Sequence, residues 1–545
     1  MKTDSEHALG GIPIPVDRRK MKMGFWLATG ALVYYLIFFN DAPIPLSRLG
    51  GSLLLVAAIL LPAWLWVAGK AQGVPLYPLY CLFFFPTYAV PLCRGDSRFV
   101  EYTELQIANG VFTLAGFILL GTLVWHQCVN HNLKPKPMVR ALDPAGSIGL
   151  MIAFLLVGIA FEFVGDLLGA FGGGLYQAGR GYAQNASRLA VFILFYQIGC
   201  GGIKGFQRQV VILLTTGFII RQTASILLAN AFPAIGLAFA GFILGGRKLP
   251  WKPLAAVVGV IMLLHSGKAE MRSIYWGGGV QVTLADYPRF FTEWIGKGVV
   301  GLTKGKNTEG VEIQGAKERS ALLPLLLKIQ KMTPAEVPFL EGASYQYLLS
   351  MLVPRIITKD KAVSHISNII LSLHYGILTK ETVMYTSIAF DLVMEAFANY
   401  GYMGVGGLAI VMGLFLGLVG LGTTGVPLFS FRFLLSVIVL SAVVSANNTM
   451  GVFVTTSWQG FLALVTLSLL IMKTIPNPLY AKPGTGARTT DLERGKTIGN
   501  REAVVDRSDV SPDPQSPIPN PPPPEAAVRH ARPTRFVYGE KKEGG

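Results

Sequence analysis

Long runs of apolar residues constrain this chain more than any other feature of its sequence. A membrane-spanning helix needs about 17 to 25 mostly apolar residues, and such runs recur along the chain. Hydrophobic residues make up 52% of the 545 residues and charged residues only 14%, which is far from the balance of a soluble globular protein. The chain is therefore predicted to be an integral membrane protein.

The apolar runs predict an all-α polytopic fold with about twelve transmembrane helices. Two of them share the polar interruption at Arg221 and are short. The predicted spans are 24–40, 51–69, 74–92, 107–127, 148–170, 187–203, 209–226, 227–246, 253–266, 403–422, 430–447 and 455–473.

The orientation follows from basic residues in short connections, because such residues are retained on the cytoplasmic side. They occur at 17–22, 70, 134–140, 204–208, 247–252 and 432. Both termini are therefore expected in the cytoplasm. The predicted layout is a cytoplasmic N-terminus (1–23), spans one to nine (24–265), a large outer, periplasmic loop (266–385), a re-entrant segment with three further spans (386–474), and a disordered cytoplasmic tail (475–545) rich in proline.

Composition and motifs exclude several classes of function. The net charge of +16 reflects basic connections and a basic outer loop, so nucleic-acid binding is not indicated. The four cysteines lack metal-ligand spacing, and no phosphate-binding glycine loop, nucleophile elbow or zinc-binding histidine pair is present. Neither a metal nor a cofactor is predicted.

Basic side chains in and around the outer loop are candidates for phosphate binding, because the planar arginine fork binds phosphate oxygens and stays charged in a partly dry site. Snorkelling at the membrane surface is the alternative for Arg272, and a wet helix face is the alternative for Arg319. Together the candidates predict a cationic surface suited to a lipid-linked phosphate. They are Lys268, Arg272, Arg319, Arg355 and Lys361.

The segment Pro338 to Arg355 is apolar but does not form a span-like run. Pro354 biases Val353 toward extended geometry and ends any helix before it. We expect the segment to form a helix on the outer membrane surface, acting as a lid that ends with Arg355 at a defined break.

Three stretches resemble Wzy-type O-antigen and exopolysaccharide repeat-unit polymerases, which are relatives of the O-antigen ligases. The stretches are "GKAEMRSIYW" (267–276), "TPAEVPFLEGASYQYLLSMLVPRIITKDK" (333–361) and "MEAFANYGYMGVGG" (394–407). The family pattern has a tryptophan and a second proline after the arginine, which "IITKDK" lacks. The resemblance implies a GT-C-type glycosyltransferase of the bacterial inner membrane. Its substrate would be an undecaprenyl-diphosphate-linked oligosaccharide, polymerised at the outer face of the membrane.

This reaction assigns tasks to particular side chains. Arg272 and Arg355 would contact the leaving diphosphate, with Arg319, Lys268 and Lys361 as supports. Glu395, in an apolar stretch where a charge is costly, would be the general base or would hold the outer loop through an ion pair. His374 would relay a proton or pack a helix, and Tyr345 and Tyr347 would stack on sugar rings or fill an aromatic belt at the membrane surface.

Two other functions remain open at this stage. A ligase relative would use the same donor to modify a lipid acceptor. A transporter or flippase would use intramembrane charges as a substrate relay, and Glu162 with Asp166 on one helix face, near Arg180, Arg188 and Arg221, would suit it. A polysaccharide chain-length regulator could bind the tail, although no motif in the tail indicates one.

Overall fold

Helices form most of the chain in the computed structural model, which describes residues 17–38, 44–93, 96–131, 133, 135–168, 174–226, 228–246, 249–275, 282–303, 321–353, 362–384, 388–443 and 448–480. The α-helices are α1 (Arg18–Phe38), α2 (Leu46–Val67), α3 (Leu76–Leu82), α4 (Val90–Cys93), α5 (Glu104–Val129), α6 (Ile148–Leu168), α7 (Gly174–Gly199), α8 (Gly205–Ala224), α9 (Phe232–Gly246), α10 (Trp251–Tyr275), α11 (Tyr287–Thr303), α12 (Leu323–Met332), α13 (Leu348–Leu352), α14 (Ile366–His374), α15 (Leu392–Leu421), α16 (Phe431–Val443) and α17 (Met450–Ile471). A π-helical turn spans Phe85–Ala89, and 3₁₀ turns span Ser97–Glu101, Leu228–Asn230, Leu284–Asp286 and Thr382–Met384. Two strands are present, β1 (Met138–Ala141) and β2 (Lys473–Pro476).

Six helical segments in the described residues are long and apolar enough to cross a membrane, which confirms a mainly helical membrane protein. They are Arg18–Phe38, Leu46–Val67, Leu76–Cys93, Glu104–Val129, Leu392–Leu421 and Met450–Ile471. Three further apolar helical stretches, Ile148–Phe163, Phe232–Gly246 and Phe431–Val443, are shorter. Every one of the twelve predicted runs overlaps a helix. Among the described residues, however, only the six segments named first are both long enough and apolar enough to cross a membrane.

Proline explains why the third segment is not a regular helix. Pro86 has no N–H to donate, and its ring conflicts with the preceding turn of an α-helix. The backbone passes into π geometry over Phe85–Ala89 and returns to α geometry at Val90. The hydroxyl of Thr87 donates to the carbonyl of Phe83 at 3.0 Å, which satisfies one acceptor at the break.

The connections that follow α5, α15 and α17 meet at one end of the molecule, here called the strand end. β1 pairs antiparallel with β2 there, and the Leu142 amide donates to the Phe429 carbonyl at 3.0 Å. The Asn477 side chain donates to the carbonyls of Lys136 and Gly425 at 3.0 and 2.8 Å. These contacts join the connections after α5, α15 and α17 on one side of the predicted membrane region.

Two predicted boundaries differ from the structure. α10 continues to Tyr275, nine residues beyond the predicted end of the ninth span at 266, because it packs against α11. The indole of Trp294 in α11 donates to the carbonyl of Leu264 at 2.7 Å. The predicted tail also begins too early, since β2 and Asn477 belong to the folded strand end, which adds a small sheet to the all-α fold.

Helices from the predicted outer loop take part in the core. Leu323, Leu326 and Ile329 of α12 are fully buried in the cluster formed with α2, α5 and α15. A second cluster joins α6, α7, α9, α16 and α17, and a third joins the end of α8 to α10 and α11. The outer region is thus anchored by apolar burial at two separate places.

We predict that Gly73→Ala lowers the thermal stability of the protein. Gly73 has a φ of +75°, and an added Cβ would collide with the backbone carbonyl of Gly420 at the strand end. The left-handed strain alone costs about 1–3 kcal/mol. Gly116→Ala is the matched control, because no atom lies within 4 Å of the Cβ it would add. Equal melting temperatures of the two purified variants in detergent would contradict the prediction.

Candidate functional site

Glu395 lies in the first turn of α15, where the sequence places a carboxylate in apolar surroundings. Asp391 caps this helix by accepting the Met394 amide at 2.8 Å, and it also accepts a hydrogen bond from the Tyr88 hydroxyl. The backbone of α15 is non-helical at Tyr400 and Gly401. This kink separates a short helical segment from the membrane-spanning part, and the latter agrees with the predicted span 403–422.

The carboxylate of Glu395 is fully buried and accepts hydrogen bonds at both oxygens. Oε1 accepts from the Ser344 hydroxyl at 2.8 Å, and Oε2 accepts from the Met450 amide at 2.6 Å. Within the described part of the chain, no Lys or Arg nitrogen lies within ion-pair distance of it. A hydroxyl and a backbone amide therefore hold this side chain, in place of the predicted loop arginine.

The predicted lid helix is wrong over most of its length. Between Pro338 and Val353 the only helix is α13, and the preceding residues form turns in which Glu341 and Gly342 have φ values of +48° and +91°. The amides of Leu340 and Glu341 donate across to the carbonyls of Ala398 and Asn399 at 2.9 and 3.2 Å. These bonds to α15 replace the bonds of a continuous helix. Val353 is extended, as predicted from the following proline.

The other predicted residues of this region, Tyr345, Tyr347 and His374, have different neighbours. The Tyr345 ring lies 6.5 Å from the Tyr400 ring, and burial, followed by the charge of Glu395, raises the pKa of Tyr345. The carbonyl of Tyr347 accepts the Ser350 hydroxyl at 2.7 Å. His374 Nε2 lies 2.9 Å from the Pro338 carbonyl. Since a carbonyl only accepts, Nε2 carries a proton and Nδ1 of the neutral ring has a free lone pair.

A second group of charged side chains, here called the arginine cluster, consists of Glu162, Arg180 and Arg221. Arg180 donates through Nε and Nη2 to the two oxygens of Glu162 at 3.1 and 2.9 Å. Arg221 Nη2 lies 4.0 Å from the same carboxylate and donates to the Glu162 carbonyl at 3.3 Å. The side chain of Glu162 is 2% exposed and that of Arg180 is 37% exposed. Arg180 is thus the member that a ligand can reach.

Neighbouring basic residues extend this cluster. Arg188, two turns along α7, interacts electrostatically with Glu162. Arg272 donates to the Ile226 carbonyl at 3.4 Å, just beyond the end of α8 that carries Arg221. Lys268 precedes Arg272 by one turn of α10. The side chain of Asp166 lies outside the described residues, as do Arg319, Arg355 and Lys361 entirely.

Helix α17 contacts both groups of side chains. Its first amide, of Met450, binds Glu395, and the Trp458 indole donates to the Leu352 carbonyl at 2.8 Å. The next residue, Gln459, packs so closely on Gly181 that a Cβ at this glycine would clash with it. Gly181 directly follows Arg180. Met450 and Trp458 are separated by about 12 Å along a regular helix.

Sequence reasoning identified Glu162, Arg180, Arg221 and Glu395 but missed the neutral partners of Glu395. Ser344 and Asn399 are common residue types, and the Met450 amide carries no side-chain signal. The recognisable signal was only the position of Asn399 four residues after Glu395, one helical turn away. Among the described residues, no three His, Cys, Asp or Glu side chains are grouped so that they could hold a metal ion.

No family model, no curated protein and no solved structure matches this chain. The resemblance to polysaccharide polymerases therefore stays a prediction, carried by its three sequence stretches.

We predict that Glu162→Gln strongly destabilises the protein. The change removes the negative charge that Arg180 and Arg221 share, and breaking a buried ion pair from one side costs about 3–5 kcal/mol. The matched control is Glu270→Gln, because Glu270 pairs with Lys297 at 2.5 Å on the surface, where such pairs contribute about 0–1 kcal/mol. Melting temperatures in detergent compare the two variants, and a loss no larger for Glu162→Gln would count against the buried pair.

Proposed function

We propose that the chain is a Wzy-type glycosyltransferase that polymerises lipid-diphosphate-linked oligosaccharide repeat units at the outer face of the bacterial inner membrane. The observation that carries this proposal is the arginine cluster. It joins the ends of three apolar or amphipathic helices, α6, α7 and α8, through a carboxylate that is almost fully buried. In this proposal its arginines bind the anionic group of the lipid-linked substrate, with the lipid portion beside the helices.

Arginine suits a diphosphate for a geometric reason. A guanidinium has five N–H donors, so one side chain can bind a carboxylate and a phosphate oxygen at the same time. Glu162 holds Arg180 through two hydrogen bonds and therefore fixes the plane of its fork before substrate binds. Such preorganised donors stabilise developing charge more effectively than mobile ones.

The proposed reaction forms a bond between a hydroxyl oxygen of the acceptor repeat unit and the anomeric carbon of the donor glycan. The bond from that carbon to the phosphate oxygen breaks, and the diphosphate leaves on its lipid carrier. Arg180, the member of the cluster that a ligand can reach, stabilises the charge that develops on the diphosphate. The hydroxyl loses its proton to a base, and His374 Nδ1 has the lone pair this step needs.

In this proposal Arg272 and Arg355, which the sequence predicts as the main diphosphate contacts, take supporting roles together with the other predicted basic residues. Arg272 and Lys268 extend the basic surface from α10, and Arg355, Arg319 and Lys361 would add charge from the outer loop. The Tyr345 and Tyr400 rings offer an apolar face on which a sugar ring can stack. The GT-C architecture, about twelve spans and cytoplasmic termini belong to the same proposal. The clustering of basic connections at the strand end supports this orientation.

We predict that Arg180→Ala abolishes the length ladder of the surface polysaccharide, because one oxyanion-stabilising donor is worth about 10²–10³ in rate. Arg180→Lys should restore little of the polysaccharide ladder, since lysine lacks the planar fork. The measurement is gel analysis of the polysaccharide and of carrier-linked single repeats. Membrane levels of each variant are confirmed first. Arg48→Ala is the matched control, because Arg48 also pairs with a carboxylate, that of Glu104, at 2.7 Å.

The pool of carrier-linked glycan separates the three functions. Loss of a polymerase leaves single repeats on the carrier at the outer face, whereas loss of a ligase leaves long chains on the carrier. Loss of a flippase leaves single repeats at the inner face, protected from an enzyme added outside spheroplasts. A full ladder in Arg180→Ala cells, equal to that of Arg48→Ala cells, would reject the assignment of the arginine cluster.

A further inference from the structure

A turn-rich segment, here called the strap (residues 340–353), is fastened to the first helical segment of α15. Besides the amides of Leu340 and Glu341, the Gly342 amide donates to the Asn399 side chain at 3.0 Å. A side chain at Gly342 would clash with the Tyr400 hydroxyl, so glycine is needed for this close approach as well as for its positive φ. Three successive amides of the strap are thus paired to one helix.

Ser344 is the centre of a buried hydrogen-bond network under the strap. Its hydroxyl donates to Glu395 and accepts from the Asn399 amide, each at 2.8 Å. Its carbonyl accepts the Ser367 hydroxyl at 3.1 Å, which adds α14 to the network. All four residues are fully buried, so a missing partner would leave a polar group without water.

The second oxygen of Glu395 reaches the N-terminus of α17. Met450 is the first residue of that helix, and the first four amides of a helix have no partner within it. A carboxylate there satisfies one of these amides and interacts favourably with the positive end of the helix dipole. This explains how the Glu395 side chain is held in place without an arginine.

The far end of the strap is fastened to the same helix. The Leu352 carbonyl accepts the Trp458 indole at 2.8 Å, just before the chain leaves α13. The strap is therefore held by α15 at its start and by α17 at its end. Tyr345, the predicted sugar-stacking residue, lies between these two attachments.

We propose that Glu395 is a positioning residue that locks the strap between α15 and α17, and that it does not serve as the general base. This inference rests on the proposed function for its catalytic part only. A base must point a lone pair at the substrate hydroxyl, but both Glu395 oxygens face protein donors and the side chain is fully buried. The role of Glu395 is to hold Tyr345 in one place.

Hydrogen exchange of the three strap amides tests the lock without any assay of activity. In the full-length protein, Glu395→Ala should speed exchange in peptides covering residues 340–342 by about tenfold or more, because it removes the acceptor of the Ser344 hydroxyl and of the Met450 amide. Ser344→Ala should have a similar effect. Ser350→Ala is the matched control, since the Ser350 hydroxyl donates locally, to the carbonyl of Tyr347 just before α13.

Glu395→Gln separates positioning from base catalysis. Its Oε1 can accept the Met450 amide while its Nε2 donates to the Ser344 hydroxyl, whose own proton then loses its acceptor; both contacts are kept and one hydrogen bond is lost, so most of the lock remains. We expect strap exchange within about threefold of the native protein and a nearly full polysaccharide ladder, whereas Glu395→Ala loses the ladder. In a reconstituted assay with carrier-linked repeats, Ser344→Ala should raise KM for the acceptor more than it lowers kcat.

Three outcomes would overturn the inference. One is a loss of activity in Glu395→Gln of about 10²-fold or more with unchanged strap exchange, as expected for a general base. Another is unchanged exchange in both Glu395→Ala and Ser344→Ala. The third is faster exchange in Ser350→Ala than in Ser344→Ala. If the native protein polymerises nothing, the proposed function fails while the exchange measurements still decide whether the lock exists.

Discussion

A carboxylate buried among apolar helices must be satisfied by donors close at hand, and two such carboxylates organise this protein. Glu162 is ion-paired with arginines and also accepts from the Gln184 side-chain amide, whereas Glu395 accepts from a hydroxyl and a helix amide. An arginine that is ion-paired to a buried carboxylate can also bind an anionic ligand. Neutral donors carry no charge, so they connect structural elements without creating a site for such a ligand. The neighbours of each carboxylate therefore indicate whether it belongs to ligand binding or to assembly.

Helix α17 makes these two arrangements parts of one structure. Its first amide is occupied by Glu395, and about two turns later its side chains touch Leu352 on one side and Gly181 on the other. A shift of α17 along its axis would therefore disturb the strap and the helix that carries Arg180 together. Helices are stiff over such distances, so the relative placement of the two groups follows from the position of a single element.

The sequence predicts where the helices lie, because burial of apolar side chains and pairing of backbone groups act locally, although six described segments rather than twelve are long and apolar enough to cross a membrane. It also identifies Glu162 and Glu395, since a carboxylate in an apolar run is visible without knowledge of its partner. The partners of Glu395 could not be predicted, because Ser344 and Met450 are 51 and 55 residues away in the chain. The predicted helix over the strap is wrong for a related reason. Its apolar residues favour a helix, but bonds to α15 and the left-handed Gly342 replace the local bonds of that helix.

A fixed strap changes how the proposed polymerase would work. A lid would act by closing, with binding energy spent on ordering the segment at each turnover. A strap fastened at Ser344 and Leu352 is ordered before substrate arrives, so the entropy of ordering the segment is lost during folding and not at each turnover. The same logic holds at Arg180, whose fork is oriented by Glu162 in advance. Both features favour preorganisation of the site, which accounts for the conspicuous use of buried polar bonds in a chain otherwise dominated by apolar packing.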